Sequence, residues 1–126
     1  MKLGNKKNLA VLATGSGKTY LACLASYRLL NYTQTKRILF LADRNNLAKQ
    51  ALSEFSLFDR TENMQQMGNL YTIKRLRKEN DVNADIVIST IQKLLQYSQV
   101  RQFKMAMKMK RMSLQRRMRK KKVKKL

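Results

Sequence analysis

The sequence predicts an α/β fold, a parallel sheet flanked by helices and followed by a basic tail. Three observations predict it. Short continuous apolar runs alternate with stretches of helical periodicity. A glycine-rich turn lies between the first apolar run and the first helical stretch. Charge is split sharply, with 13 of the 28 Lys and Arg and none of the 7 Asp and Glu falling after residue 100. The composition therefore divides near residues 97–101 into a globular unit, 1–97, and a low-complexity unit, 98–126.

The elements follow in order. Asn8–Ala13 (N-L-A-V-L-A) reads as a buried strand that ends at the glycine turn. Thr19–Asn31 places Leu21, Leu24, Ala25, Leu29 and Leu30 at helical spacing. Arg37–Ala42 (R-I-L-F-L-A) is a second buried strand, and Asn45–Phe55 carries Leu47, Ala48, Ala51, Leu52 and Phe55 on one helical face. Ser56–Asn69 is polar and reads as a loop. Tyr71–Lys78 fits either a short strand or a helical turn. Asp85–Ser89 (D-I-V-I-S) is a third buried strand, and Thr90–Gln96 opens another helix. Strands that are apolar throughout require a parallel sheet covered on both faces. The tail, rich in Lys, Arg and Met, is expected to be disordered or helical, since like charges at that density repel one another.

Composition excludes much chemistry. The chain has no His, so triads, imidazole bases and most zinc sites are ruled out. Its one Cys allows no internal disulfide and fits a reducing, cytoplasmic setting. No apolar run is long enough to span a membrane, and the basic start is not followed by a signal-like apolar stretch. The net charge of +21 points to anionic partners.

The first chemical motif is Ala13-Thr14-Gly15-Ser16-Gly17-Lys18-Thr19. Glycines let the backbone turn its N–H groups toward a phosphate chain, and the helix that follows presents its positive end. In a nucleoside triphosphate site of this kind Lys18 reaches the terminal phosphates and the Thr19 hydroxyl meets Mg²⁺. The general pattern is G-x-x-x-x-G-K-[S/T]; Leu12 stands at its first glycine position, while the T-G-S-G-K-T core is intact. Two further segments, Arg37–Gln50 and Asp85–Leu94, place polar residues just beyond the ends of buried strands, where ligands of open parallel sheets sit. Asp43, Arg44, Ser89, Thr90 and Gln92 are thereby expected on one rim with the glycine turn. Arg44 and the hydroxyls of Ser89 and Thr90 suit phosphate contacts. A structural alternative is helix capping, by Asp43 or Asn45 at one helix and Ser89 at the next.

Taken together, A-T-G-S-G-K-T, then F-L-A-D-R-N-N-L-A-K-Q-A, then D-I-V-I-S-T-I-Q-K-L resemble the first motor lobe of superfamily-two helicases and translocases. The versions D-R-N-N-L-A-K-Q and I-S-T-I-Q-K-L look most like the R subunit of type I restriction endonucleases. The resemblance covers about residues 8–96. It implies a partial RecA-like lobe that binds ATP and Mg²⁺ through Thr14, Gly15, Ser16, Gly17, Lys18 and Thr19. It also implies that Arg44, Ser89 and Thr90 face DNA, in a complex with specificity and modification subunits. The family's D-E-x-H motif has no counterpart after Asp85, the last carboxylate of the chain. The second lobe and the nuclease domain have none either. The resemblance therefore implies no catalytic residue here and an inactive motor when alone.

The tail admits two readings. Met107–Met112 (M-K-M-K-R-M) can be encoded so that a one-base shift reads Glu-Asp-Glu-Glu-Asp, which makes the tail the expected product of a frameshifted acidic tract. The other reading is a basic nucleic-acid-binding arm, which makes the chain a non-catalytic binding protein. A third function class, another small P-loop nucleotide-binding enzyme such as a kinase, is disfavoured by the Arg37–Gln50 segment, which leaves no lid or acceptor site.

Overall fold

A computed structural model describes residues 6–125. Helix α1 (Lys18–Tyr32) leads to strand β1 (Ile38–Ala42) and helix α2 (Asn45–Leu57). A one-turn helix α3 (Met67–Leu70) precedes strand β2 (Ile73–Arg75). A 3-10 turn over Glu79–Asn83 then leads into strand β3 (Ile86–Thr90) and the long helix α4 (Ile91–Lys124). The three strands form one parallel sheet in the order β1-β3-β2. The α/β class with flanking helices predicted from the sequence is thus observed.

The central strand is the last in the chain. Every residue of β3 is buried, which is why I-V-I-S-T carries no charge. Ile86 and Ile88 point to one face and meet Phe55 and Ala48 of α2 and Cys23 and Tyr27 of α1 in the larger core cluster. Val87 points to the other and packs with Leu76 and Ala84, edged by Leu94 and Tyr97 of α4. Phe40 of β1 meets Phe55 edge to face, with ring centroids 5.2 Å apart. Asp85 fastens the sheet at its lower end. Its carbonyl accepts from the Ile38 N–H at 2.8 Å, and its carboxylate accepts from the Thr72 N–H at 2.9 Å.

Several expectations are corrected. Asn8–Ala13 is irregular chain, not a strand, with Leu9 90% and Val11 85% exposed. An apolar run becomes a strand only when a neighbouring strand accepts its ladder, and this segment pairs with neither of the edge strands, β1 and β2. The sheet is not covered on both faces throughout: Leu39 and Leu41 of β1 are 49% and 45% exposed on the face opposite α2. The segment 56–69 is not wholly loop. Helix α2 runs on to Leu57, and α3 begins at Met67, whose side chain is fully buried. The ambiguous stretch 71–78 contains β2. The basic segment, expected to be disordered or helical, is helical: it continues α4 without a break, and from Ser98 onward every described residue of that helix is exposed.

Gly68 marks a close approach between α3 and α2. A Cβ there would lie 2.9 Å from the Ser56 carbonyl oxygen, so α3 can lie against the end of α2 only with glycine. Gly68→Ala should destabilise the chain by about 1–3 kcal/mol through overpacking, read as a lower denaturant midpoint at unchanged slope. Burial pushes the Cys23 thiol up to about 11, with the Glu54 carboxylate adding to the effect. The thiol is therefore inert in the folded chain. Because its acid form is favoured by folding, stability should be flat below the ordinary thiol range and should fall as pH rises from about 9 towards 11. A thiol reagent at pH 8 should modify Cys23 only at the rate of unfolding.

Candidate nucleotide and phosphate site

The glycine turn leads into α1 as the sequence predicts, although the strand expected before it is irregular chain. Gly15 and Gly17 both adopt positive φ, at 78° and 87°, a region that costs other residues about 1–2 kcal/mol. The Ser16 N–H donates to the Ala13 carbonyl at 3.2 Å, and the Ser16 hydroxyl donates to the same oxygen, closing the turn. Gly17 is the residue before α1, and the Leu21 N–H bonds back to its carbonyl at 3.0 Å. No side chain caps α1, and its first turn carries no acid. The amides at this end are therefore offered to an external anion rather than to a Ser or Asp of the chain. A Cβ at Gly15 would meet nothing within 4 Å, so the turn opens to solvent. Lys18 is exposed beside it and Thr19 is half-buried. These features fit a phosphate chain at Thr14–Thr19.

Thr19 also lines a cleft of about 300 Å³ with Ala42, Asp43 and Gln50, at the upper end of β1 and the start of α2. The strand register explains this placement. Ala42 of β1 lies level with Thr90 of β3, so the residues that follow both strands emerge at one height. For a Mg²⁺ ion the set is sparse. Thr19 supplies a hydroxyl and Asp43 shares its cleft, and among the described residues no group of three or more His, Cys, Asp or Glu is gathered. The donors fit an ion held mainly by phosphate oxygens and water, as Mg²⁺ commonly is.

A second groove, of about 440 Å³, opens above β3 and β2. It is lined by Asn45, Arg75, Arg77, Ser89, Thr90 and Lys93, among others. Ser89 and Thr90 are 1% and 4% exposed, and both hydroxyls have internal partners. The Ser89 hydroxyl donates to the Thr90 carbonyl at 3.0 Å, and the Thr90 hydroxyl accepts the Lys93 N–H at 3.2 Å. Thr90, not Ser89, is thus the cap of α4. The residue before α2 is Arg44, with no side-chain cap, so neither Asp43 nor Asn45 caps that helix. Asn45 instead accepts from the Arg75 guanidinium at 3.0 Å, which ties α2 to the end of β2. Arg44 is exposed at the start of α2. Gln92 is exposed in the first turn of α4 and is not among the groove residues.

Arg75, Arg77 and Lys93 are the part of this groove that sequence reasoning missed. The available signal was K-R-L-R-K at 74–78. Once Ile73–Arg75 is resolved as a strand, Arg75 and Arg77 stand at its upper end and obey the same strand-end rule as Ser89, while Lys93 comes from the first turn of α4.

The model of a family described as "Type III restriction enzyme, res subunit" matches residues 1–123. The chain belongs to that family. It is 37% identical over 93 residues to the type I restriction enzyme EcoKI endonuclease subunit of Escherichia coli K12, a match covering 73% of this chain and 8% of that protein. It is 53% identical over 47 residues to the EcoAI endonuclease subunit of E. coli, covering 37% of this chain and 6% of that one. It is 35% identical over 86 residues to the SauCOLORF180P endonuclease subunit of Staphylococcus aureus COL, covering 64% of this chain and 8% of that one. The chain thus spans less than a tenth of these relatives. No solved structure matches it significantly. The resemblance to a superfamily-two motor lobe of the type I R-subunit kind, drawn from the three motifs, is borne out by these matches.

The Thr90 cap has a direct test. Thr90→Val keeps the shape and removes the acceptor for the Lys93 N–H, and should lower stability by about 1 kcal/mol, whereas Thr90→Ser should retain most of it. Thermal or denaturant unfolding of both variants reads the difference.

Proposed function

We propose that this chain forms the nucleotide-binding part of an ATP-dependent DNA translocase motor, of the type I restriction endonuclease R-subunit kind. The observation that carries the reading is the T-G-S-G-K-T turn with both glycines at positive φ, set directly against the uncapped, acid-free end of α1. On this reading the backbone of Thr14–Gly17 holds the phosphates of ATP, Lys18 neutralises the terminal ones and Thr19 contributes its hydroxyl to Mg²⁺. Bound Mg²⁺ would neutralise phosphate charge; the chain's own share is to bind and orient. Arg44 and the groove of Ser89 and Thr90 take the DNA backbone, with Arg75, Arg77 and Lys93 supplying the charge that the two buried hydroxyls lack. The rim position of both sites, at the upper ends of β1 and β3, supports placing nucleotide and DNA on one side of the sheet. The working partners are DNA and the specificity and modification subunits of such a complex, in the cytoplasm. Among the described residues no helix is long and apolar enough to cross a membrane.

Turnover needs more than this cradle. Phosphoryl transfer relies on acids that hold the metal and orient water, and on a cation delivered from outside the lobe. The 7 carboxylates of the chain end at Asp85, and none follows β3 as the family's D-E-x-H motif would require. We therefore infer binding without useful hydrolysis by this chain alone.

Titration with a fluorescent ATP analogue in the presence of Mg²⁺ tests the assignment. Saturable binding is expected, with Lys18→Ala weakening it at least tenfold while far-ultraviolet circular dichroism stays unchanged. Gly17→Val, which cannot hold φ near 87° without strain, should weaken it similarly. Equal affinity for the parent chain and Lys18→Ala would overturn the reading.

A further inference from the structure

The distal part of α4 is the largest feature of the molecule that the nucleotide and groove sites do not use. Its first turns are held: Leu94 and Tyr97 pack on the smaller core cluster, and Lys104 pairs with Glu79 at 3.2 Å. Beyond Lys104 every described residue is exposed, and the helix runs on to Lys124. Residues 101–126 hold 13 Lys and Arg and no acid. No i,i+4 acid–base pair is available to offset that repulsion, so the helix lacks a charge partner within itself.

The arrangement of the side chains narrows what that partner is. At 100° per residue the cations are spread around the whole circumference. Phe103, Met107, Leu114 and Met118 fall on one side, and Met105, Met109, Met112 and Val123 fall on the opposite one. A helix that lies on a membrane needs a single apolar face and a single polar face, and this one has neither. A cation-studded rod charged on all sides instead fits a channel with negative walls on both flanks. The major groove of B-form DNA is such a channel, about 12 Å wide and bordered by two rows of phosphates. An α-helix with its side chains is about 10–12 Å across, and residues 101–124 would extend about 36 Å, close to one turn of the duplex.

We propose that residues 101–125 are a binding arm for duplex DNA, seated in the major groove and held by phosphate contacts without regard to sequence. The proposal does not rest on the nucleotide site, and the physics is the same whatever the coding history of the tail. The segment contains Gln102 and Gln115 but no Asn, and nothing in it repeats at the spacing of a base-reading face. Affinity should therefore come from counterion release.

The experiment measures binding of the full chain to a mixed-sequence 30-base-pair DNA from 50 to 300 mM salt. Two variants are compared with the parent. In the arm variant Arg116, Arg117, Arg119, Lys120, Lys121 and Lys122 are changed to Gln, which keeps helix propensity. In the body variant Lys6, Lys7, Arg28, Lys36, Arg37 and Arg60, all exposed, are changed to Gln. Circular dichroism confirms that each retains its helix content. The arm variant should reduce the slope of log affinity against log salt by about 3–5, and the body variant by no more than about 1. An equal effect of the two variants would overturn the proposal, since the charge would then act in bulk. Duplex RNA of the same length should bind the parent more weakly, because its major groove is too deep and narrow for a helix. RNA binding as tight as DNA binding, or tighter partition onto phosphatidylserine vesicles at the same salt, would overturn it as well.

Discussion

The constraint on which the rest of the structure depends is the double burial of β3. A strand that pairs on both edges and is covered on both faces can hold no charge and no bend, and I-V-I-S-T meets that demand at Ile86–Thr90. It takes β1 on one side and β2 on the other, both parallel, so all three strands end on the same side of the sheet. The helices α2 and α4 therefore start on that side, one after β1 and the other directly after Thr90. Asp85 sets the register from below by holding the backbones of both neighbouring strands through its own carbonyl and carboxylate. Its neighbour Asp81 does the same for the turn that precedes it, accepting the Lys78 and Arg77 N–H groups at 2.8 and 2.9 Å, which hold its carboxyl below the usual range.

From that frame follows a division of charge. Asp85 is employed below the sheet, where its carboxylate accepts the Thr72 N–H, while Arg75, Arg77 and Lys93 gather above it. The upper side is then positive from three sources at once: strand-end cations, the uncapped start of α1 and the uncapped start of α2. Of the three long helices only α4 is capped at its start by a side chain, that of Thr90, and it is the helix whose far end carries the surplus charge. The apolar surface is distributed less completely. Leu39 and Leu41 on β1 and Leu9 and Val11 ahead of the glycine turn remain open to solvent. These are the same residues whose apolar character made both segments read as buried strands.

How much of this was legible follows from what each feature depends on. Helices α1 and α2 and strands β1 and β3 were readable because their signals are local, an apolar period or an unbroken apolar run of about five or six residues. Asn8–Ala13 carries the same kind of run, yet strand formation depends on a ladder partner that no local pattern specifies. β2 is three residues long, too short for periodicity to separate a strand from a turn. The cap of α4 falls one residue later than expected, on Thr90 and not Ser89, because capping is decided by where the backbone turns helical and not by which hydroxyl comes first. At the candidate site the glycine turn was legible for a similar reason, since positive φ at Gly15 and Gly17 is a demand on residue type. The groove was half legible. Ser89 and Thr90 follow from the strand-end rule, whereas Asn45, Arg75, Arg77 and Lys93 come from separate segments and are joined only by the fold.

The claim that β3 is the frame of the whole molecule is tested most directly by native-state hydrogen exchange resolved to single amides. The account predicts that the amides of Ile86–Thr90 exchange last, through global unfolding only. Those of β1 and β2 that bond to β3 should be close behind, and those of α4 beyond Lys104 should exchange within the fraying regime. Slow exchange in the distal half of α4 with fast exchange in Ile86–Thr90 would contradict it, because the sheet would then be an appendage of the helix and not its foundation.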